Sequence, residues 1–518
     1  MHAKRLVLLL FALTPIATGL AQTSERQTAR GVVFVDADGD GVRDEGEPGL
    51  EGVRVSNGRD VVLTDEHGRY EIEVDDDDII FVIKPRGYMT RIDELNLPRF
   101  YSIHKPAGSP EGLRYPGVVP TGPLPESIDF ALTPQEEPDR FQTIFFGDTQ
   151  PRNVQEVEYF AHDIVEDLIG FEGAFGVTLG DIVFDDLDVF EPHNQTVALI
   201  GMPWYNVLGN HDINFDVADD AHSDETFERV YGPATYSFDY GPVHYVVLDN
   251  VFFYRDREDK TRYRGGFSDE QMQFMVNDLA HVSKDQLIVY MMHIPLRYVP
   301  EKREFFELLK EYPYTLSIAG HTHTSEHEFF GTADGNQGPE HHHYIAVTAC
   351  GSWWTGEPDE RGIPHATMSD GAPNGYTIIT FDGHGYSMEF RAASEPAETQ
   401  MRIWTPEVVS QSELAATEVV VNVFAGSSRS TVEMRVNDGE WTPLRQDKRP
   451  DPYLVTLKQL EETDRPLRGR KLPKPRDSTH IWVGTLPNTL APGTHTITIR
   501  TTDMFGQQSS AKRIFRVR

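Results

Sequence analysis

Five short polar signatures, each directly after an apolar run, constrain this 518-residue chain more than any other feature. They read Gly147-Asp148-Thr149-Gln150, Gly180-Asp181, Gly209-Asn210-His211-Asp212, His293 and Gly320-His321-Thr322-His323. The runs before them (143–146, 175–179, 205–208, 287–292 and 315–319) read as strands, as does 245–248 ahead of Asp249-Asn250. Helical patterns alternate with them. Val154, Val157, Ala161, Ile164 and Leu168 share one face, and Ser268 with Gln271 forms a capping box ahead of Met272, Met275 and Leu279. Phe305, Phe306 and Leu309 lie on a helix that stops before Pro313. This alternation makes a layered α/β domain over 139–393. Ligands in open α/β sheets gather beyond the carboxyl ends of strands, so distant residues can converge. The flanking glycines permit tight turns and close backbone approach. Carboxylate, amide and imidazole donors together suit a pair of divalent metals, a known device for hydrolysing phosphate esters.

The flanks read differently. Residues 22–134 form an N-terminal β-sandwich-like module, with a polar leader at 22–30 and a Pro- and Gly-rich stretch from Pro106 to Pro125. Residues 399–518 return to all-β patterning, where Asn437-Asp438-Gly439 is a hairpin signal, and a sandwich is expected. Lys458 to Arg476 is long, basic and Pro-containing, and is expected as a surface excursion.

Lys4 and Arg5 precede the apolar run Leu6 to Leu13, and small residues follow to Ala21. Residues 1–21 therefore read as a secretory signal peptide, and the protein as exported, periplasmic or extracellular, with no transmembrane segment in the mature chain. The formal net charge of −35 opposes nucleic acid as a partner. Cys350 is the single cysteine, so an intramolecular disulfide is impossible.

Taken together, the five signatures resemble the calcineurin-like metallophosphoesterase superfamily over roughly 140–390. Gly351-Ser352-Trp353-Trp354, Asp359-Glu360-Arg361-Gly362 and Pro373-Asn374-Gly375-Tyr376 are similar to an exported bacterial branch with N-terminal and C-terminal β accessory domains. The resemblance implies a central αββα domain holding two divalent ions (manganese, iron, magnesium or zinc) and a phosphate-ester substrate. It implies that Asp148 and His323 bind the first ion, that Asp181 bridges both, and that Asn210, His293 and His321 complete the second. A metal-bridging hydroxide would attack phosphorus, His211 would assist the leaving group, and Asp212 would orient the His211 ring. The family's first motif carries Asp-x-His, whereas this chain has Gln150, whose amide oxygen is a harder ligand. The first site is then expected to prefer manganese, magnesium or iron over zinc.

A second metal signal lies at Asp36, Asp38, Asp40, Val42, Asp44 and Glu47, the ligand positions of a twelve-residue calcium loop with Gly41 at the sixth. Its flanks read as strands, not helices, and it resembles calcium loops of bacterial extracellular β-modules, so structural calcium is expected. His244, His281 and His365 read as surface or packing histidines, His341-His342-His343 as a solvated loop, and Arg297 as a surface ion pair. Trp353 and Trp354 fit either a cleft wall or ordinary packing. Two competing functions stand beside the leading one: a catalytically silent binding or adhesion protein on the same fold, and a phosphodiesterase specific for cell-envelope lipids or polymers.

Overall fold

Strands Val243–Leu248 and Leu287–Met292 are buried at every residue rather than at alternate ones. A strand with two apolar faces needs cover on both sides. The computed structural model, which describes residues 26–463 and 468–518, shows what supplies it. The leader expected at 1–21 lies outside the described residues.

Two mixed sheets form the centre. One runs in the order 204–206, 175–178, 140–146, 375–382, 385–392, the other 236–240, 243–248, 287–292, 315–319, 341–345, 326–330. In the second sheet the four middle strands are parallel and both edge strands antiparallel. Alternation along Arg140–Phe146 separates two environments. Phe145 packs with Tyr245 and Val247 between the sheets, while Ile144 and Phe146 meet Phe160 and Val197 of the outer helices. The second sheet is covered on its outer face by Asp269–Leu279 and Lys302–Leu309, through Phe274, Leu279, Phe305 and Leu309. The capping box is present: Gln271 N donates to Ser268 Oγ at 3.1 Å, and Ser268 N to Gln271 Oε1 at 2.9 Å. The result is the expected helix–sheet–sheet–helix stack.

The histidine triplet corrects its reading as a loop. His341–Ile345 is a buried strand, because each imidazole finds neutral partners. His341 lies 2.8 Å from Thr315 Oγ1 and 2.7 Å from Ser317 Oγ, and His342 lies 2.7 Å from the Tyr386 hydroxyl. Burial pushes the His341 pKa down to about 3, so these rings are neutral polar core. The polar leader is also shorter than expected, since a strand spans Gln27–Val35 and pairs with Arg69–Val74.

Two four-stranded sheets form the N-terminal sandwich, and a four-stranded and a five-stranded sheet form the C-terminal one. In the latter, Val419 and Val421 face Met434, Ile497 and Phe515 across one core. The N-terminal sandwich shares its apolar core with the central domain: Phe81 meets Phe274 at 5.9 Å and Phe100 meets Tyr236 at 5.0 Å. A buried ion cluster crosses the same junction. Arg54 reaches Asp239 at 2.6 Å and Asp278 at 2.8 Å, and His244 lies 2.7 Å from Asp239 and 3.0 Å from Asp278. His244, read as a surface or packing residue, is thus a buried cation whose two ring nitrogens each donate to a carboxylate.

Burial opposes charge on His244, but Asp278 and Asp239 outweigh it and hold its pKa above the ordinary value. Such a group stabilises the fold fully below its unfolded pKa of about 6.5, and this contribution is lost as pH rises through the folded value. Removing one member of a buried pair leaves uncompensated charge and costs about 3–5 kcal/mol. His244→Gln is therefore expected to lower the urea unfolding midpoint most at about pH 6, with the gap to wild type narrowing as pH rises. An equal loss at every pH would show that the ring is neutral.

Candidate metal centre

Each signature lies beyond the carboxyl end of a strand, and three of the five turns use a backbone that side chains rarely adopt. Asp148, Gln150, Asp181, His321 and His323 have φ of 23°, 39°, 50°, 75° and 52°. Left-handed backbone at non-glycine residues costs of order 1–3 kcal/mol each and persists where surrounding structure holds it. The glycines give the room. A Cβ on Gly180 would lie 2.6 Å from His293 Nδ1, and one on Gly209 would lie 1.9 Å from Asp181 N.

The structure brings all the expected ligands into one region. Asp181, His293 and His321 each place a ligand atom within 4.8 Å of the others. Asp181 Oδ2 lies 3.2 Å from His293 Nε2, which also lies 3.2 Å from Asn210 Oδ1 and 3.2 Å from His321 Nδ1. Asp148 adjoins them: its Oδ1 accepts His321 N at 2.7 Å, and its Oδ2 lies 3.1 Å from His323 Nε2. His293 Nδ1 donates to Leu179 O and His323 Nδ1 to Gly351 O, both at 2.8 Å. These bonds fix the tautomers and turn Nε2 of each ring toward the carboxylates.

The donor set fits divalent cations. Asp148 Oδ2 is buried and accepts no well-aligned hydrogen bond among the described residues. Two imidazole nitrogens face each other and a carboxylate at contact distance, which is repulsive unless positive charge lies among them. Burial opposes charge on His293, yet Asp181 outweighs it and raises the pKa to about 9. Burial and the charged His293 push His321 down to about 4.

Two assigned roles change. Asp212 does not orient His211, because its carboxylate is taken by the backbone N–H groups of Ile182, Val183 and Gly209 at 3.1, 3.1 and 2.9 Å. Burial raises its pKa to about 8, with the Asp181 charge adding to the shift. The ring is held instead by Asp185, whose Oδ1 lies 2.6 Å from His211 Nδ1, and by Phe184, stacked at 4.3 Å. The sequence signal was present, since Asp185 lies four residues after Asp181, but nothing in spacing distinguished Asp185 from Asp212. Gln150 also departs from its assignment. Its amide nitrogen donates to Asp181 Oδ2 at 2.7 Å while its oxygen faces Cys350 Sγ at 3.7 Å. A carboxylate attracts the donor end of an amide, so Gln150 steadies the shared acid here.

Asn250 clamps the peptide after His293, with Ile294 N donating to Oδ1 at 2.9 Å and Nδ2 donating to Ile294 O at 2.6 Å. Trp354 is packing, its indole donating to Thr149 O, whereas Trp353 lies 4.6 Å from the His323 ring on the cleft wall. Arg297 is spent on Glu326 and Glu328. The basic segment is not a plain surface excursion. Pro473, Lys474 and Arg476 line a cleft of about 510 Å³ together with His321, His323, Tyr263, Arg264 and Trp353. In the second expected site, the carboxylates of Asp36, Asp38 and Asp40 come together, but that of Asp44 stands outside the group. Glu47 is turned to the loop backbone, accepting Ala37 N at 2.8 Å and Asp44 N at 3.0 Å.

Residues that orient ligand side chains typically contribute 10–100-fold in metal affinity. Asn250→Ala is expected to weaken metal retention by roughly this factor, read by competition with a chelator. Unchanged retention would mean that strand 287–292 alone positions His293.

Three models of one family match the chain in order. They are the N terminal of calcineurin-like phosphoesterase over residues 37–115, calcineurin-like phosphoesterase over 141–325, and the C terminal of calcineurin-like phosphoesterase over 343–508. No curated protein matches. Among solved structures, a purple acid phosphatase isolated from yellow lupin (Lupinus luteus) seeds is similar at 12% identity and a TM-score of 0.35, over 71% of this chain and 67% of that one. That likeness is too slight to carry weight. The three family matches are not, and the chain belongs to the calcineurin-like phosphoesterases, metal-dependent hydrolases of phosphate esters.

Proposed function

We propose that the chain is an exported two-metal hydrolase of phosphate esters in which His211 gives a proton to the leaving oxygen. The observation that carries this reading is the convergence of Asp148, Asp181, Asn210, His293, His321 and His323 with His211 beside them. Asp148 and His323 would hold one ion, Asn210, His293 and His321 the other, and Asp181 would face both. When bound, such ions supply Lewis acidity at the phosphoryl oxygens and make water a competent nucleophile at neutral pH. A first site short of one imidazole favours manganese, magnesium or iron over zinc.

The protein's own part is positioning and proton transfer. Asp181 Oδ1 accepts His211 N at 2.9 Å, which locks the His211 backbone to the shared carboxylate. Asp185 holds Nδ1, so Nε2 is the atom left to serve the leaving oxygen. Arg152 lies 4.0 Å over the Phe184 ring and donates to Trp353 O at 3.1 Å, bracing the ring on which His211 stacks. Export rests on Lys4, Arg5 and the apolar run to Leu13. No helix among the described residues is long and apolar enough to cross a membrane.

General acid assistance contributes about 10²–10⁴-fold and matters most when the leaving oxygen is a poor leaving group. His211→Asn is therefore expected to lower kcat on an alkyl phosphate by that order, and on 4-nitrophenyl phosphate by much less. Asp181→Asn is expected to abolish both activities together with metal binding. Equal loss on the two substrates in the His211 variant would remove the proton-donor role. Full activity in the Asp181 variant would overturn the two-metal reading.

The loop at 36–47 is proposed as a structural calcium site, supported by the three converging carboxylates. Binding to the folded state alone stabilises by about 2.7 kcal/mol at a hundred times Kd. In an Asp181→Asn background, calcium is expected to raise Tm, and Asp38→Asn with Asp40→Asn to cancel the rise. A calcium-independent Tm would refute the site.

A further inference from the structure

The bases in the C-terminal arm are not equivalent. Lys458 pairs with Glu461 at 2.6 Å, Arg468 with Glu357 at 3.6 Å and Arg470 with Glu156 at 3.0 Å. Lys471, Lys474 and Arg476 have no carboxylate within ion-pair distance among the described residues, and of these three Lys474 and Arg476 face the cleft. Both line the cleft that contains His321 and His323.

Their position is built rather than incidental. Leu472 is buried, its N donates to Glu461 Oε1 at 2.6 Å, and its carbonyl accepts Lys458 Nζ at 2.6 Å. Pro473 and Pro475 restrict the backbone on either side of Lys474. Arg476 N donates to Ser369 O at 2.8 Å, and Ser369 N and Oγ both donate to His323 O at 3.0 Å. The Arg476 guanidinium lies 3.5 Å from Thr322 O, between two expected metal ligands. The arm is thus tied through one serine to the ligand loop. Across the cleft stand Arg264, on the hairpin strand Thr261–Gly265, and the rings of Tyr263, Tyr298 and Trp353.

We propose that Lys474 and Arg476 form an anion subsite that selects doubly phosphorylated small molecules, with the reacting phosphate at the metal centre and the second on these two bases. The volume of about 510 Å³ exceeds what one phosphate fills. The aromatic side chains give the carbon framework between the two anions an apolar wall. A charge-assisted contact on a preorganised group supplies specificity as well as affinity. The proposal rests on the phosphoesterase reading of the same centre and sharpens its substrate class.

The test measures equilibrium binding of propane-1,3-bisphosphonate and propylphosphonate, neither of which is hydrolysed, to the manganese-loaded full chain. The wild type is expected to bind the bisphosphonate at least about 10-fold more tightly, one such contact being worth roughly that factor. Lys474→Ala with Arg476→Ala should bring the ratio close to one, Lys474→Arg should largely keep it, and Lys512→Ala, on the distant strand 508–517, should leave it as in wild type. A ratio near one in the wild type, or a high ratio that survives the double variant, overturns the subsite while leaving the metal centre standing. Binding of neither compound overturns the metal-centre reading and the subsite with it. A parallel arm compares kcat/KM for a hexose bisphosphate and its monophosphate. The same collapse of preference is expected there, carried by KM for the bisphosphate.

Discussion

Everything at this centre depends on keeping the carboxylates of Asp148 and Asp181 buried and aimed at the same small space. Unpaired buried charge is costly, so the surrounding structure must offer donors and positive charge. It does so through left-handed backbone after three of the strands, at Asp148, Asp181 and His321, while the peptide N–H groups of His211 and His321 close on the carboxylates. Such turns do not hold themselves. The two sheets fix where they begin, and contacts from the flanking sandwiches fix where they end.

That division gives the accessory regions a physical role. From the N-terminal side, the buried Tyr115 donates to the carbonyl of Asp185, the residue that holds His211. Lys105 meets Glu225 at 2.5 Å and Glu228 at 2.9 Å on the helix that follows. From the C-terminal side, Asp370 accepts Ser325 N at 2.7 Å and lies 3.0 Å from His480, which in turn lies 2.7 Å from Asn422. Ser325 follows His323 by two residues, so this chain of bonds ends on the ligand loop. With Cys350 alone and buried, no disulfide can supply the bracing. Buried hydrogen-bonded networks rigidify what they touch, and here they touch the loops that carry ligands.

The strands that precede the signatures were legible because apolar runs of four to six residues, most of them closed by glycine, have few other uses. Leu287–Met292 and Thr315–Ala319 fall where the sequence places them. His341–Ile345 was not legible, because histidine reads as polar until its partners are known, and those partners, Ser317 and Tyr386, are strands away. That carboxylate, amide and imidazole donors would converge beyond the strand ends was readable from residue type and order. The partner of His211 was not, since Asp212 is adjacent in sequence and Asp185 only in space. The same holds for Lys474 and Arg476: a basic, proline-containing stretch looks like solvated surface, and only the bond from Arg476 N to Ser369 places it at the cleft.

Charge at two length scales then separates what can approach from what can bind. The net charge of −35 acts on any long polyanion well before contact, and salt screens it beyond about 8–10 Å. Lys474 and Arg476 act inside that distance, where a small anion already in the cleft meets them without crossing much of the acidic surface. A repulsive far field with an attractive near field disfavours extended polyanions and tolerates compact ones. The acidity of the whole chain and the basicity of one short arm are therefore not in conflict. The first discourages the wrong class of phosphate, and the second gives the right class somewhere to rest its other charge.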